Sequence, residues 1–76
     1  MNNKQRYFFI SFNYKYNLGD RTGNIGLVRN DLPSNEEIKD IAYEKYNKIH
    51  KGMHDIIVLS IHEFKDKQEY DKFWGN

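Results

Sequence analysis

A chain of 76 residues with 12 basic and 11 acidic side chains, a formal net charge of +1 and no cysteine is sized for one domain, near the lower limit for a single core without disulfides, metals or self-association. The charge balance argues against a polyanionic DNA mimic and against a strongly basic nucleic-acid clamp, and the lack of cysteine removes disulfides, thiolate zinc sites and thiol catalysis together. The longest aliphatic run, Ile56 to Leu59, is far below the roughly 18 residues of a membrane span, and no signal-peptide core follows the polar start, so the expectation is a soluble, cytoplasmic protein.

Residues 1–5 are polar and expected to fray. From Tyr7 to Tyr16 the even positions Phe8, Ile10, Phe12, Tyr14 and Tyr16 are all aromatic or aliphatic, whereas Tyr7, Phe9, Ser11, Asn13 and Lys15 occupy the odd ones. Side chains alternate across a strand, so this pattern predicts a strand with one wholly apolar face for a covering helix. Its other face is aromatic at one end only.

Asn17 to Asn24 concentrates Gly, Asn and Asp, which tolerate positive φ or form local turns, and reads as a hairpin loop. A weaker second strand is expected from about Asn24 to Arg29 at the edge of the sheet, with Gly26 marking a bulge or a close approach.

Pro33-Ser34-Asn35-Glu36-Glu37 carries the spacing of a reciprocal capping box between Ser34 and Glu37. A helix from there to about Ile49 would bury Ile38, Ile41, Ala42, Tyr46 (or Lys45) and Ile49 as one stripe, with Gly52 as its stop. Asp55 to His62 is β-branched and apolar on both faces as far as Val58, which suits a third strand partly covered on both sides. Asp66 and Glu69 repeat the capping spacing ahead of Tyr70, Phe73 and Trp74, predicting a short helix over residues 67–74.

These elements give an α+β fold of order ββαβα. The sheet is three-stranded and antiparallel, in the order 2-1-3, with one main helix on one face, a core over residues 6–64 and a short carboxyl-terminal helix. One long helix covers only one face of such a sheet. What covers Tyr7 and Phe9 on the other face is therefore the functional question, and the short helix, a second subunit and a ligand are the three possible answers.

Tyr7 and Phe9, flanked by Arg6 and Lys15, could stack nucleobases, but exposed aromatic patches more often mark protein contacts, and dimerisation or cover by the tail is the stronger expectation. Arg21, Thr22 and Asn24, set among glycines, could hold a phosphate or ribose through side chains and backbone amides. The glycines lead into a strand, so this is no P-loop, and a plain hairpin needs the same residues. His50 and His54 have a zinc-like spacing, but Gly52 interrupts it and no third ligand is patterned. No Ser-His-Asp order or paired catalytic carboxylates stand out, so neither an enzyme nor a cofactor or metal site is expected.

The aromatic strand Phe8-Phe9-Ile10-Ser11-Phe12, the loop Thr22-Gly23-Asn24, the helix start Pro33-Ser34-Asn35-Glu36-Glu37-Ile38 and the strand Ile56-Ile57-Val58-Leu59-Ser60-Ile61 together resemble small accessory proteins carried by phages and prophages of low-GC bacteria, over about residues 7 to 63. The resemblance implies a non-enzymatic counter-defence inhibitor. Such a factor would sequester a nucleotide immune signal or dock on and block a host immune protein, and a homo-oligomer is expected. The site residues would be Tyr7, Phe9, Arg21, Thr22 and Asn24, and the alternative is a nucleic-acid-binding regulator using the sheet-face aromatics and arginines.

Overall fold

The computed structural model describes residues 4–75; most of the amino-terminal stretch expected to fray, residues 1–3, lies outside them. The elements run β1 (Arg6–Tyr16), β2 (Gly19–Arg29), α1 (Asn35–Tyr46), β3 (His54–Phe64) and α2 (Lys67–Phe73). They form one three-stranded sheet in the order β2-β1-β3, antiparallel at both pairings. This is the α+β, ββαβα arrangement that the hydrophobic periodicity predicts.

β1 is central, and its alternation decides which face becomes the core. Phe8, Ile10, Phe12 and Tyr14 are buried beneath α1 together with Ile25, Ile38, Ala42 and Met53. Four large side chains from one strand supply half of this cluster, which is why so short a chain closes a core at all.

The hairpin is longer than its composition suggests. Tyr16 pairs with Gly19, so the turn is Asn17-Leu18 alone and β2 begins at Gly19, not near Asn24. Asn17 supplies the one left-handed position, φ 57, which its short polar side chain tolerates. Once the turn is closed, Asp20, Arg21 and Thr22 continue in register with Lys15, Tyr14 and Asn13, and the opposite charges of Asp20 and Lys15 face each other across the strands.

Ser34 caps α1 as expected: its Oγ accepts the Glu37 N–H at 3.1 Å and the Glu37 carboxylate accepts the Ser34 N–H at 2.9 Å. The helix ends earlier than the apolar stripe implies. Asn47 is its C-cap, the next residues form turns, and Ile49 is 71 % exposed instead of buried. The Asn47 side chain accepts the Gly52 N–H, and Gly52 at φ 86 turns the chain so that Met53 enters the core.

β3 departs from a regular ladder twice, between Ser11/Phe12 and between Asn13/Lys15 of its partner. The first shift leaves Leu59 unpaired, and the second coincides with Asp55 at φ 53; both have the character of β-bulges. β3 is also an edge. Ile56 and Val58 pack against the core and Phe64 against α2, so both faces are partly covered, but Ile57, Leu59 and Ile61 remain 56 %, 57 % and 41 % exposed because α1 and α2 reach only part of β3.

α2 is capped by Asp66, whose carboxylate accepts the Glu69 N–H at 2.9 Å. The return contact of a capping box is displaced by one residue, with Glu69 accepting the N–H of Lys65 instead of Asp66. Among the described residues no helix is long and apolar enough to cross a membrane.

Candidate docking face

The face of β1 turned away from α1 is covered at one end by α2. The rings of Tyr7 and Tyr70 lie 5.3 Å apart, those of Phe9 and Phe73 4.8 Å, and those of Phe9 and Trp74 5.6 Å. Phe64 completes the cluster against Tyr70 and Phe73. Offset and edge-on ring packing of this kind stabilises beyond the area it buries, and the chain's own tail is what covers Tyr7 and Phe9.

Gly26 makes the cover possible. It lies opposite Phe9, and a Cβ there would stand 2.6 Å from the Tyr70 hydroxyl and 3.1 Å from Trp74 Cζ2. Of the two roles expected for this glycine, close approach is the one observed.

Arg21, Thr22 and Asn24 lie within β2, not in a loop, and they do not converge. Thr22 pairs with Asn13 and Asn24 with Ser11, on the face that carries Tyr7 and Phe9; Arg21 pairs with Tyr14 on the α1 face. Its guanidinium sits 5.9 Å from the centre of the Tyr16 ring. The backbone of Asn24 is engaged as well: its N–H donates to the Tyr46 hydroxyl at 3.0 Å, and that hydroxyl donates to its carbonyl at 2.9 Å.

Beyond α2 the uncovered part of the same face is polar apart from Ile57 at its β3 end. Two rows cross the strands, Asn24–Ser11–Ser60 and Thr22–Asn13–Ile57, with side chains of one strand roughly 7 Å apart along it. The last turn of α2 stands over Phe9, next to the first of these rows. There Phe73 and Trp74 remain 53 % and 39 % exposed although each packs on Phe9. The result is an aromatic ridge beside a flat field of hydroxyl and amide groups.

No family model, curated protein or solved structure matches the chain. The case for this face therefore rests on its own chemistry.

The histidines of the zinc-like spacing are drawn apart by different partners. His50 Nδ1 lies 2.7 Å from the Tyr14 hydroxyl and its ring stacks on Tyr16 at 4.4 Å, whereas His54 Nδ1 lies 3.1 Å from the Gly52 carbonyl. Among the described residues no three His, Cys, Asp or Glu side chains come together as a metal would require.

The ion pairs lie on the rim of the sheet. Arg6 forms a two-pronged pair with Glu63, 2.8 Å at each contact, which holds the Glu63 carboxyl below the usual carboxylate range. Arg29 joins Glu37 at 2.9 Å. Such exposed pairs fix geometry more than they add stability.

Strand parity in the sequence places Tyr7, Phe9, Ser11 and Asn13 on one face of β1, but Thr22 and Asn24, read there as loop residues, and Ser60 join that face only through the strand pairing. Ser60 depends on the bulge at Leu59, which no local signal marks.

Proposed function

We propose that the chain is a small non-catalytic binding protein that docks on another protein through the α2 end of this sheet face and acts by blockade. The observation that supports the reading is the exposure of Phe73 and Trp74 beside the Asn24–Ser11–Ser60 and Thr22–Asn13–Ile57 rows. Large aromatic side chains anchored underneath and open above, with a rim of hydrogen-bonding groups, have the make-up of a protein-contact hot spot.

Between the two modes implied by the phage-type resemblance, this favours docking on a host immune protein over sequestering a nucleotide. A base stacking on Tyr7 or Phe9 would have to displace α2, and Arg21 points to the other face from Thr22 and Asn24. The nucleic-acid reading meets the same obstacle.

The chain has a single tryptophan, and it lies in the proposed contact, so its emission reports binding without a label. Candidate partners recovered from host extract on the immobilised full chain would be purified and titrated against wild type, Thr22→Arg and Phe73→Ala. The expected result is a change in Trp74 emission on binding and at least a tenfold loss of affinity in both variants. A partner that binds both variants as tightly as wild type overturns the placement. Saturable binding of an oligonucleotide that weakens steeply with salt would favour the nucleic-acid reading instead.

A further inference from the structure

The two helices are attached to the sheet in different ways. The core cluster draws on β1, β2, α1 and Met53, and α2 supplies none of it. α2 instead rests on the other face through three side chains, with Tyr70 on Tyr7 and with Phe73 and Trp74 on Phe9. Of the rings it packs on, only Phe64 is buried, and Phe64 is itself held in the ladder opposite Tyr7.

We infer that α2 is a strap that opens and re-forms as one unit over Tyr7 and Phe9 while the sheet and α1 stay folded. A helix of seven residues is well below the roughly 12–15 needed for an isolated helix to persist in water. α2 is therefore helical only while its rings rest on the sheet, and loss of the ring contacts and loss of the helix are one event. Its polar bonds go with it. Asp66 accepts the Glu69 N–H and Glu69 accepts the Lys65 N–H, each at 2.9 Å, and Lys67 pairs with Asp71 at 2.6 Å, so each closes the segment on itself. Among the described residues no hydrogen bond or ion pair joins residues 66–75 to the sheet.

The strap has a defined end. Lys65 and Asp66 bend between β3 and α2, so the change stops at the last pair of the ladder, Tyr7 with Phe64. Phe73 and Trp74 are already 53 % and 39 % exposed when it is shut, which limits the apolar area that opening returns to water, and the freed segment regains chain entropy. Open, the face presents Tyr7 and Phe9; shut, it presents Phe73 and Trp74. The aromatic ridge exists only in the shut form, so the strap would regulate any contact made there. That regulatory role rests on the docking reading; the opening itself does not.

Native-state amide exchange on the full chain alone tests the opening. The N–H groups of Tyr70, Trp74 and Gly75, which bond to the carbonyls of Asp66, Tyr70 and Lys72, should be protected to one common degree, lower by about tenfold or more than Ile10 and Phe12 in β1. Asp66→Ala removes the cap at an exposed position outside the core, and should speed all three by about fivefold while Ile10 and Phe12 exchange as in wild type. Protection in α2 equal to that of β1 would make α2 part of the single cooperative core and overturn the inference. So would the absence of protection in α2, or an Asp66→Ala effect that differs among the three amides, which is fraying from one end, or one that extends to β1.

Discussion

The Tyr46 hydroxyl closes the outer edge of β2 by bonding both backbone groups of Asn24, accepting the N–H at 3.0 Å and donating to the carbonyl at 2.9 Å. One side chain at the end of α1 thus ties the helix to the strand farthest from β3, and its ring also packs edge-on against Phe12 at 5.1 Å. Tyr46→Phe keeps the ring and removes the tie. The expected cost is about 1–2 kcal/mol of unfolding free energy, read as a lower urea midpoint, with faster amide exchange at Asn24 while the amides of β1 stay protected.

Two glycines of β2 should respond differently to the same added methyl group. At Gly23 a Cβ would stand 2.8 Å from Phe12 Cζ and 2.9 Å from Tyr46 Cζ, rings held within or against the core. Gly23→Ala should therefore cost about 1–3 kcal/mol through overpacking. At Gly26 the obstacle is the Tyr70 hydroxyl and the Trp74 indole, which belong to a seven-residue helix that contributes no buried residue of its own. Gly26→Ala should lift α2 and shift Trp74 emission to longer wavelength while the main unfolding transition changes little. An unchanged emission spectrum would show that α2 accommodates the methyl group in place.

The Ser34–Glu37 box gives the fold an acid limit. The Ser34 N–H, followed by Arg29, holds the Glu37 carboxyl below its ordinary range. A carboxyl depressed in the folded state contributes stability that is present above its unfolded value and lost as pH falls through the folded one. Wild type should lose stability as pH falls below about 4, and Glu37→Gln should remove part of that dependence. Ser34→Ala should cost about 1 kcal/mol at neutral pH through loss of the cap. Urea midpoints between neutral pH and about pH 3 measure both effects.

What was legible in the sequence is what local chemistry decides. The alternation from Phe8 to Tyr16 fixes β1 and its buried face, because strand parity acts residue by residue, and the capping box fixes where α1 begins. The start of β2 was not legible: glycine, asparagine and aspartate serve a loop, but they also serve the far end of a long hairpin whose turn needs only Asn17 and Leu18. Ile49 reads as core by spacing, yet the helix ends before reaching it.

The candidate site was half legible for a similar reason. Tyr70, Phe73 and Trp74 are recognisable as one helix face, but that they settle on Tyr7 and Phe9 depends on the gap left by Gly26. That Arg21 parts from Thr22 and Asn24 follows from parity only once the strand is known to begin at Gly19.

Tyr14 offers a test at the alkaline end. It is buried in the core and its hydroxyl lies 2.7 Å from His50 Nδ1, with the His50 ring stacked on Tyr16. Burial pushes the Tyr14 phenol above its ordinary value, because the charged phenolate would lose its water. The folded state then holds this proton more tightly than the unfolded chain does. The associated stability is complete below the unfolded value of about 10 and is lost as pH rises through the folded one. Tyr14→Phe should lower stability at neutral pH by about 1 kcal/mol, the hydrogen bond to His50 being absent, and should flatten the decline above about pH 10. Urea midpoints across that range, compared with Tyr43→Phe at an exposed position, separate the buried phenol from general tyrosine ionisation; equal slopes in the two variants would remove Tyr14 as the cause.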